Sequence, residues 1–326
     1  MLCINRLEKK GLFFVVIGIL VVLLIFIILV CASLYFYHIA IARADKSFLN
    51  GNPDLEIKED AMKSFAEMEE WWGKQAFEKW NTTSNDGLML HAYFLPANQP
   101  TDRTVILAHG YSGQAMQMGQ LAQMYREVLG FNVLLPDARG HGISEGAYIG
   151  FGWPERKDYV KWIDKVIKQT SAQAQIVLHG VSMGAATVMM TSGEALPPNV
   201  KAIIEDCGYT SVQDQLVYQL KRMYHIPSFP IVPLTSLVTK IRAGYFFKEA
   251  STLKQISKSK TPILFIHGDA DAFVPTRMVY ELFEHATVPK KMLVIPGAGH
   301  GLARSVDPKT YDREVSEFIE RFVSEA

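Results

Sequence analysis

Hydrophobic and polar positions divide the chain into two unlike parts. Residues 11–42 contain no Asp, Glu, Lys or Arg and are dense in Leu, Ile, Val and Phe. A run of that length spans a bilayer as a helix. It also exceeds the roughly 7 to 15 apolar residues of a cleaved signal peptide, although Ala40-Ile41-Ala42 imitates a small-x-small cleavage site. The pattern therefore predicts a short tail over 1–11 and an uncleaved anchor over 12–37. The polar stretch 45–54, with Gly51-Asn52-Pro53, reads as a linker. Helical spacing occupies 59–79, with Met62, Phe65, Met68, Trp72, Ala76 and Trp80 three or four residues apart. Such a stripe rests on a membrane or on the following domain, and packing on the domain is the commoner outcome. Linker and juxtamembrane helix together occupy 38–79.

From residue 80 the period changes. Trp80-Asn81-Thr82-Thr83 and the run from Leu88 to Phe94 flank Asn85-Asp86-Gly87, a hairpin signal. Short continuous apolar runs then alternate with helical patterns: Thr104-Val105-Ile106-Leu107-Ala108, Gln175-Ile176-Val177-Leu178-His179, Ala202-Ile203-Ile204-Glu205, Pro262-Ile263-Leu264-Phe265-Ile266 and Lys291-Met292-Leu293-Val294-Ile295-Pro296. Such runs read as strands covered on both faces. Residues 80–326 are therefore an α/β domain with a mostly parallel central sheet and helices on both faces, ending in a helix over 311–324. The stretch 211–250 breaks the alternation. It is rich in Tyr218, Leu220, Met223, Tyr224, Ile226 and Phe229 and is punctuated by Pro227, Pro230 and Pro233. It forms either a small helical cap over an apolar pocket or a pair of helices that cover the core.

Ser182 sits in Gly180-Val181-Ser182-Met183-Gly184, after one of those strands and before the helix-compatible Ala185-Ala186-Thr187-Val188-Met189. A serine hydroxyl is a weak nucleophile unless it is held exposed beside a base and near donors for the developing oxyanion. A strand, a sharp turn and a helix, with the serine at the turn, create that position. The pentapeptide alone arises by chance in about one chain in ten of this length, so its company decides. His109-Gly110 follows the strand ending at Ala108, His267-Gly268-Asp269-Ala270-Asp271-Ala272-Phe273-Val274-Pro275 follows the strand ending at Ile266, and Gly299-His300 follows the strand ending at Pro296.

This ordered set resembles the α/β-hydrolase superfamily over roughly residues 80 to 325. Leu135-Pro136-Asp137-Ala138-Arg139-Gly140-His141-Gly142 matches a segment of its esterase and monoacylglycerol-lipase-like branches, where it is mainly structural. With the anchor included, the chain resembles single-span membrane-anchored hydrolases of Gram-positive bacteria. The resemblance implies the chain order serine, acid, histidine. Of nine histidines only His285 and His300 follow Asp271, and His285 lies in an amphipathic helical stretch, so His300 is the expected base. Asp271 is the expected acid, with Asp206 and Asp269 as rivals. Backbone N–H groups of Tyr111 and Met183 are the expected oxyanion donors.

The expected chemistry is cleavage of a carboxylic ester, thioester or acyl-lipid through an acyl-enzyme on Ser182, which requires neither metal nor organic cofactor. The same triad serves an acyltransferase when an acceptor outcompetes water, and a third reading is a surface binding protein on a hydrolase scaffold. There is no C-x-x-C, H-E-x-x-H or P-loop motif. Equal numbers of basic and acidic residues, 33 each, leave no basic footprint for nucleic acid. Cys3, Cys31 and Cys207 make no disulfide framework, and Cys31, preceded by Val30 in mid-run, is a poor lipoprotein site. Arg6, Lys9 and Lys10 precede the span and Arg43 and Lys46 follow it, a bias toward a cytoplasmic N-terminus and an extracellular domain. Tyr35, Phe36 and Tyr37 suit an interfacial belt at the outer end.

Overall fold

Strands β1 (Glu78–Thr83), β2 (Met89–Leu95), β3 (Arg103–Ala108), β4 (Asn132–Pro136), β5 (Gln175–Val181), β6 (Val200–Asp206), β7 (Ile263–Gly268) and β8 (Lys290–Ile295) form one sheet in the order 1-2-4-3-5-6-7-8. The β1–β2 and β2–β4 pairs are antiparallel and the remaining pairs are parallel. This computed structural model describes residues 2–55 and 59–324, and side chains outside 2–10 and 59–65. The side chains of Cys3, Arg6, Lys9, Lys10, Met62 and Phe65 lie outside the described residues.

Successive strand residues point to opposite faces, so continuous apolar runs need cover on both. Val105 and Leu107 of β3 join one core with Tyr311, Val315 and Phe318 of helix Pro308–Glu320. Ile106 and Ala108 join the other, with Trp162 of helix Glu155–Gln169 and Val188 of helix Met183–Ser192. Helix Pro308–Glu320 begins earlier than its apolar pattern suggests, because the Asp307 side chain accepts the Thr310 N–H at 3.0 Å and Pro308 fits the first turn.

The amphipathic helix after the polar stretch ends at Gly73 rather than Lys79. Trp80 is drawn into β1, where its ring stacks on Phe94 with centroids 4.1 Å apart. Met68 is buried, with Gly119 leaving room for it: a Cβ there would stand 2.6 Å from Met68 Cγ. Trp72 packs on Phe77 and Tyr93. The described part of the stripe thus covers the domain.

The long apolar helix runs Leu2–Phe36, and its large side chains from Leu12 to Ile28 are exposed. The segment after this helix is docked on the domain. Ile149 N–H donates to Ile41 O at 2.7 Å and Arg43 N–H to Ala147 O at 2.8 Å. The Arg43 guanidinium donates to Ser144 O and Gly142 O, and Tyr37 and Ile41 are buried. Further on, Arg222 pairs with Asp54 at 2.5 Å. Between β6 and β7, helices Val212–Tyr224 and Ile231–Ala243 form a cap that, together with residues 36–49, walls an apolar cavity. The cap therefore does more than cover the core.

Candidate active site

Ser182 has φ 57° and ψ −115°, a conformation that costs a non-glycine residue on the order of 1–3 kcal/mol. The neighbours hold it there. Ser182 N–H donates to Asp206 O at 2.8 Å, and Ala186 N–H donates to Ser182 O at 3.0 Å as the helix starts. Both flanking glycines are sterically required: a Cβ on Gly184 would overlap the Ala108 carbonyl of β3, and one on Gly180 would overlap the Gly184 backbone.

The loops after β7 and β8 bring the other two side chains to this turn. His300 Nε2 lies 2.8 Å from Ser182 Oγ, and His300 Nδ1 lies 2.7 Å from Asp271 Oδ2. A carboxylate can only accept, so it holds the proton on Nδ1 and leaves Nε2 to accept from the serine hydroxyl. Asp271 is itself fixed, its Oδ1 accepting Phe273 N–H at 2.9 Å and Val274 N–H at 2.8 Å. Burial alone would raise the Asp271 carboxyl. Hydrogen bonds from His267 and His300 outweigh that and hold it below the usual carboxylate range.

The rival residues have other partners. Asp269 Oδ1 accepts Gly297 N–H at 2.6 Å, and His285 Nδ1 contacts Glu281 O at 2.8 Å on its own helix. Asp206 Oδ2 accepts the Tyr311 hydroxyl proton at 3.0 Å. Because that proton is committed, the His179 Nε2 contact with Tyr311 Oη at 3.0 Å requires Nε2–H to donate, and Nδ1 accepts from Tyr125 at 3.0 Å. Burial pushes Asp206 up to about 6, against the Tyr311 bond. This chain of side chains comes from four separate elements and carries no local sequence signal.

His267 was legible only as part of a motif, without a role. It is fully buried, and its Nε2–H donates to Val274 O at 2.9 Å while lying 3.3 Å from Asp271 Oδ2. Burial lowers its pKa, but Asp271 and Glu205 outweigh this and raise it.

Near the expected oxyanion donors, β3 and β5 run side by side with Ala108 opposite Gly180. A Cβ on Gly110 would stand 3.5 Å from Ser182 Cβ, so the loop carrying Tyr111 passes the elbow. Met183 opens the helix directly after Ser182. The Tyr111 side chain turns elsewhere, its hydroxyl donating to Ala40 O at 2.7 Å.

Asp137, Arg139 and His141 build a loop. Asp137 accepts Ala115 N–H and Ile143 N–H, Arg139 clamps Asp158 and Asp86, and His141 Nδ1 donates to Arg139 O. His109 Nε2 accepts Ala138 N–H at 3.0 Å, tying this loop to the one after β3. Among the described residues, Cys207, Asp271 and His300 bring ligand atoms within 4.8 Å of one another. Two of them are already bonded together, and burial raises the Cys207 thiol above its ordinary value.

Two family models match the chain: "Serine aminopeptidase, S33" over residues 99–227 and "Dienelactone hydrolase family" over residues 234–323. The uncharacterized protein YqkD of Bacillus subtilis is 31% identical over 261 residues, covering 80% of this chain and 83% of the relative. YfhR of Escherichia coli K12 is 28% identical over 239 residues, 70% of this chain and 74% of its own length. Among solved structures, the Pyrococcus furiosus esterase Pf2001 superposes with a TM-score of 0.61 at 22% identity, over 80% of this chain and 96% of that one. The α/β hydrolase GrgF from a Penicillium species gives 0.61 at 19% identity, over 77% and 100%. These relatives, the sheet order and the strand–Ser182–helix turn place the chain in one family: it belongs to the α/β-hydrolase superfamily.

Proposed function

We propose that this protein is a serine hydrolase of carboxylic esters, with Ser182 as nucleophile, His300 as base, Asp271 as acid and the N–H groups of Tyr111 and Met183 as oxyanion donors. The observation that carries the reading is the His300 imidazole bridging Ser182 Oγ at 2.8 Å and Asp271 Oδ2 at 2.7 Å. In the first step Ser182 Oγ bonds to the acyl carbon while its proton passes to His300 Nε2. The C–O bond to the alcohol then breaks, and the alkoxide leaves with that proton. Water, deprotonated by the same nitrogen, attacks the acyl-enzyme and releases the carboxylic acid and Ser182 Oγ–H. Asp271, held ionised, stabilises the imidazolium at both stages.

The apolar stretch Gly11–Ile41, whose large side chains from Leu12 to Ile28 are exposed, supports a single-pass membrane protein. Its flanking charges support a cytoplasmic N-terminus and an extracellular catalytic domain. The test is fluorophosphonate labelling of the full chain with parallel acetate-ester turnover, compared with Ser182→Ala. Labelling and turnover that vanish together with Ser182 are the expected result. A folded protein that neither labels nor turns over refutes the hydrolase reading.

A further inference from the structure

We propose that the cavity between the cap and the juxtamembrane segment binds the acyl chain of a membrane-lipid ester, and that the anchor's outer end forms one wall of this substrate site. The inference rests on the ester-hydrolase reading and names its substrate class.

The cavity is compact, about 100 Å³, and opens to solvent at its mouth. Three parts of the chain wall it: Phe36, Ile39 and Leu49 stand for the juxtamembrane segment, Leu220, Met223 and Ile231 for the cap, and Tyr111 and Phe273 for the loops of the sheet domain. None of its lining side chains is charged. A substrate ammonium or carboxylate would therefore be desolvated there without a partner, whereas each methylene removed from water contributes about 0.8 kcal/mol.

The cavity adjoins the triad. Tyr111, whose N–H is a proposed oxyanion donor, is in the wall, and so is Phe273, whose ring centroid lies 5.0 Å from that of His300. A chain lying in the cavity would thus present its carboxyl end toward Ser182.

The surroundings point to a bilayer as the source of the chain. Phe36, the last residue of the long apolar helix, lines the cavity and packs edge-on against Tyr224 of the cap, with centroids 5.2 Å apart. Cap helix Ile231–Ala243 lies against the anchor helix. Beside that contact the cap exposes Phe229 at 78%, Ile241 at 77% and Leu237 at 47%. Leu237 and Ile241 lie one turn apart on that helix, and large exposed apolar side chains on a cap packed against a membrane-length helix suit the lipid interface. The cavity mouth would then lie where an acyl chain can leave the bilayer without crossing water.

The experiment uses the full chain in vesicles of diether phosphatidylcholine, which offers no ester of its own, and measures kcat/KM for acetate and palmitate esters of one fluorogenic alcohol. The wild type is expected to favour palmitate. Met223→Trp and Ile39→Trp fill the cavity from the cap and from the juxtamembrane segment, so one decides if the other misfolds. Each is expected to lower the palmitate-to-acetate ratio roughly tenfold or more, about 1.4 kcal/mol of discrimination. Phe229→Glu with Ile241→Glu is expected to lower palmitate turnover on vesicles several-fold. No palmitate preference, a ratio unmoved by the folded tryptophan variants, or vesicle turnover indifferent to the glutamates overturns the inference while Ser182-dependent acetate turnover stands. Acetate turnover that survives Ser182→Ala instead removes the hydrolase reading beneath it.

Discussion

Replacing Asp271 by Asn changes one atom and tests the proposed proton path. In the native loop Oδ1 accepts two backbone N–H bonds, from Phe273 and Val274, while Oδ2 faces His300 Nδ1. The asparagine amide has one acceptor and one donor end. Turning its NH2 toward Phe273 and Val274 would oppose two buried N–H donors, so its oxygen is expected to stay on the loop and its NH2 to face His300. A donor in that place favours the His300 tautomer with a lone pair on Nδ1 and the proton on Nε2. That nitrogen can no longer take the Ser182 proton. The same change in a chymotrypsin-like triad lowers kcat about 10⁴-fold with the geometry intact. We expect a loss on the order of 10³- to 10⁴-fold here, or about 4 to 5.5 kcal/mol in the barrier. Acetate-ester kcat in the folded variant is the assay, with Asp206→Asn alongside. Asp206 bonds Tyr311 rather than His300, so its loss should be far smaller. Asp271→Asn activity within tenfold of wild type, or a larger loss in Asp206→Asn, refutes Asp271 as the acid.

Gly184→Ala drives a Cβ into the Ala108 carbonyl, a backbone group with no rotamer to yield. We expect a loss at or above the usual overpacking cost of about 1–3 kcal/mol, seen as a fall in melting temperature of several degrees, and an unchanged melt would contradict so close an approach of the two backbones. Glu205 carries a pH signature: burial pushes it up to about 8, against the Gly208 N–H bond and His267. The unfolded value is about 4.3, so the native state holds the proton more tightly, and this stabilisation is complete below about pH 4.3 and lost as pH rises through about 8. The melting temperature of Glu205→Gln relative to wild type should therefore climb between about pH 5 and 9, and a constant difference counts against a buried protonated Glu205. Tyr111→Phe removes the bond to Ala40 O, worth about 1 kcal/mol, and limited proteolysis should then cut within residues 39–50 more quickly; equal rates would mean that this bond does not hold the segment down.

The long apolar helix, the strands buried on both faces and the serine at its turn were legible because each is local. An unbroken apolar run, two-sided burial and a tight turn all impose their demands on contiguous residues. His300 could be selected by chain order and exclusion of His285, and the structure places it against Ser182 and Asp271. Asp271 was the expected acid with Asp206 and Asp269 as rivals, and in the fold Asp206 bonds Tyr311 and Asp269 bonds Gly297 N–H. Distance alone separated them, and distance between side chains on β6, the loop after β7 and the loop after β8 is set by sheet order. The helical stripe overran at Trp80 because a period of three or four continues by chance into a strand whose pairing with β2 then decides. Composition read residues 45–54 as a linker, since polarity reports solvation and says nothing about which surface the chain lies against. The cavity is also beyond the reach of sequence: its wall joins Phe36 to Met223 and Phe273, residues far apart in the chain that only tertiary packing brings together.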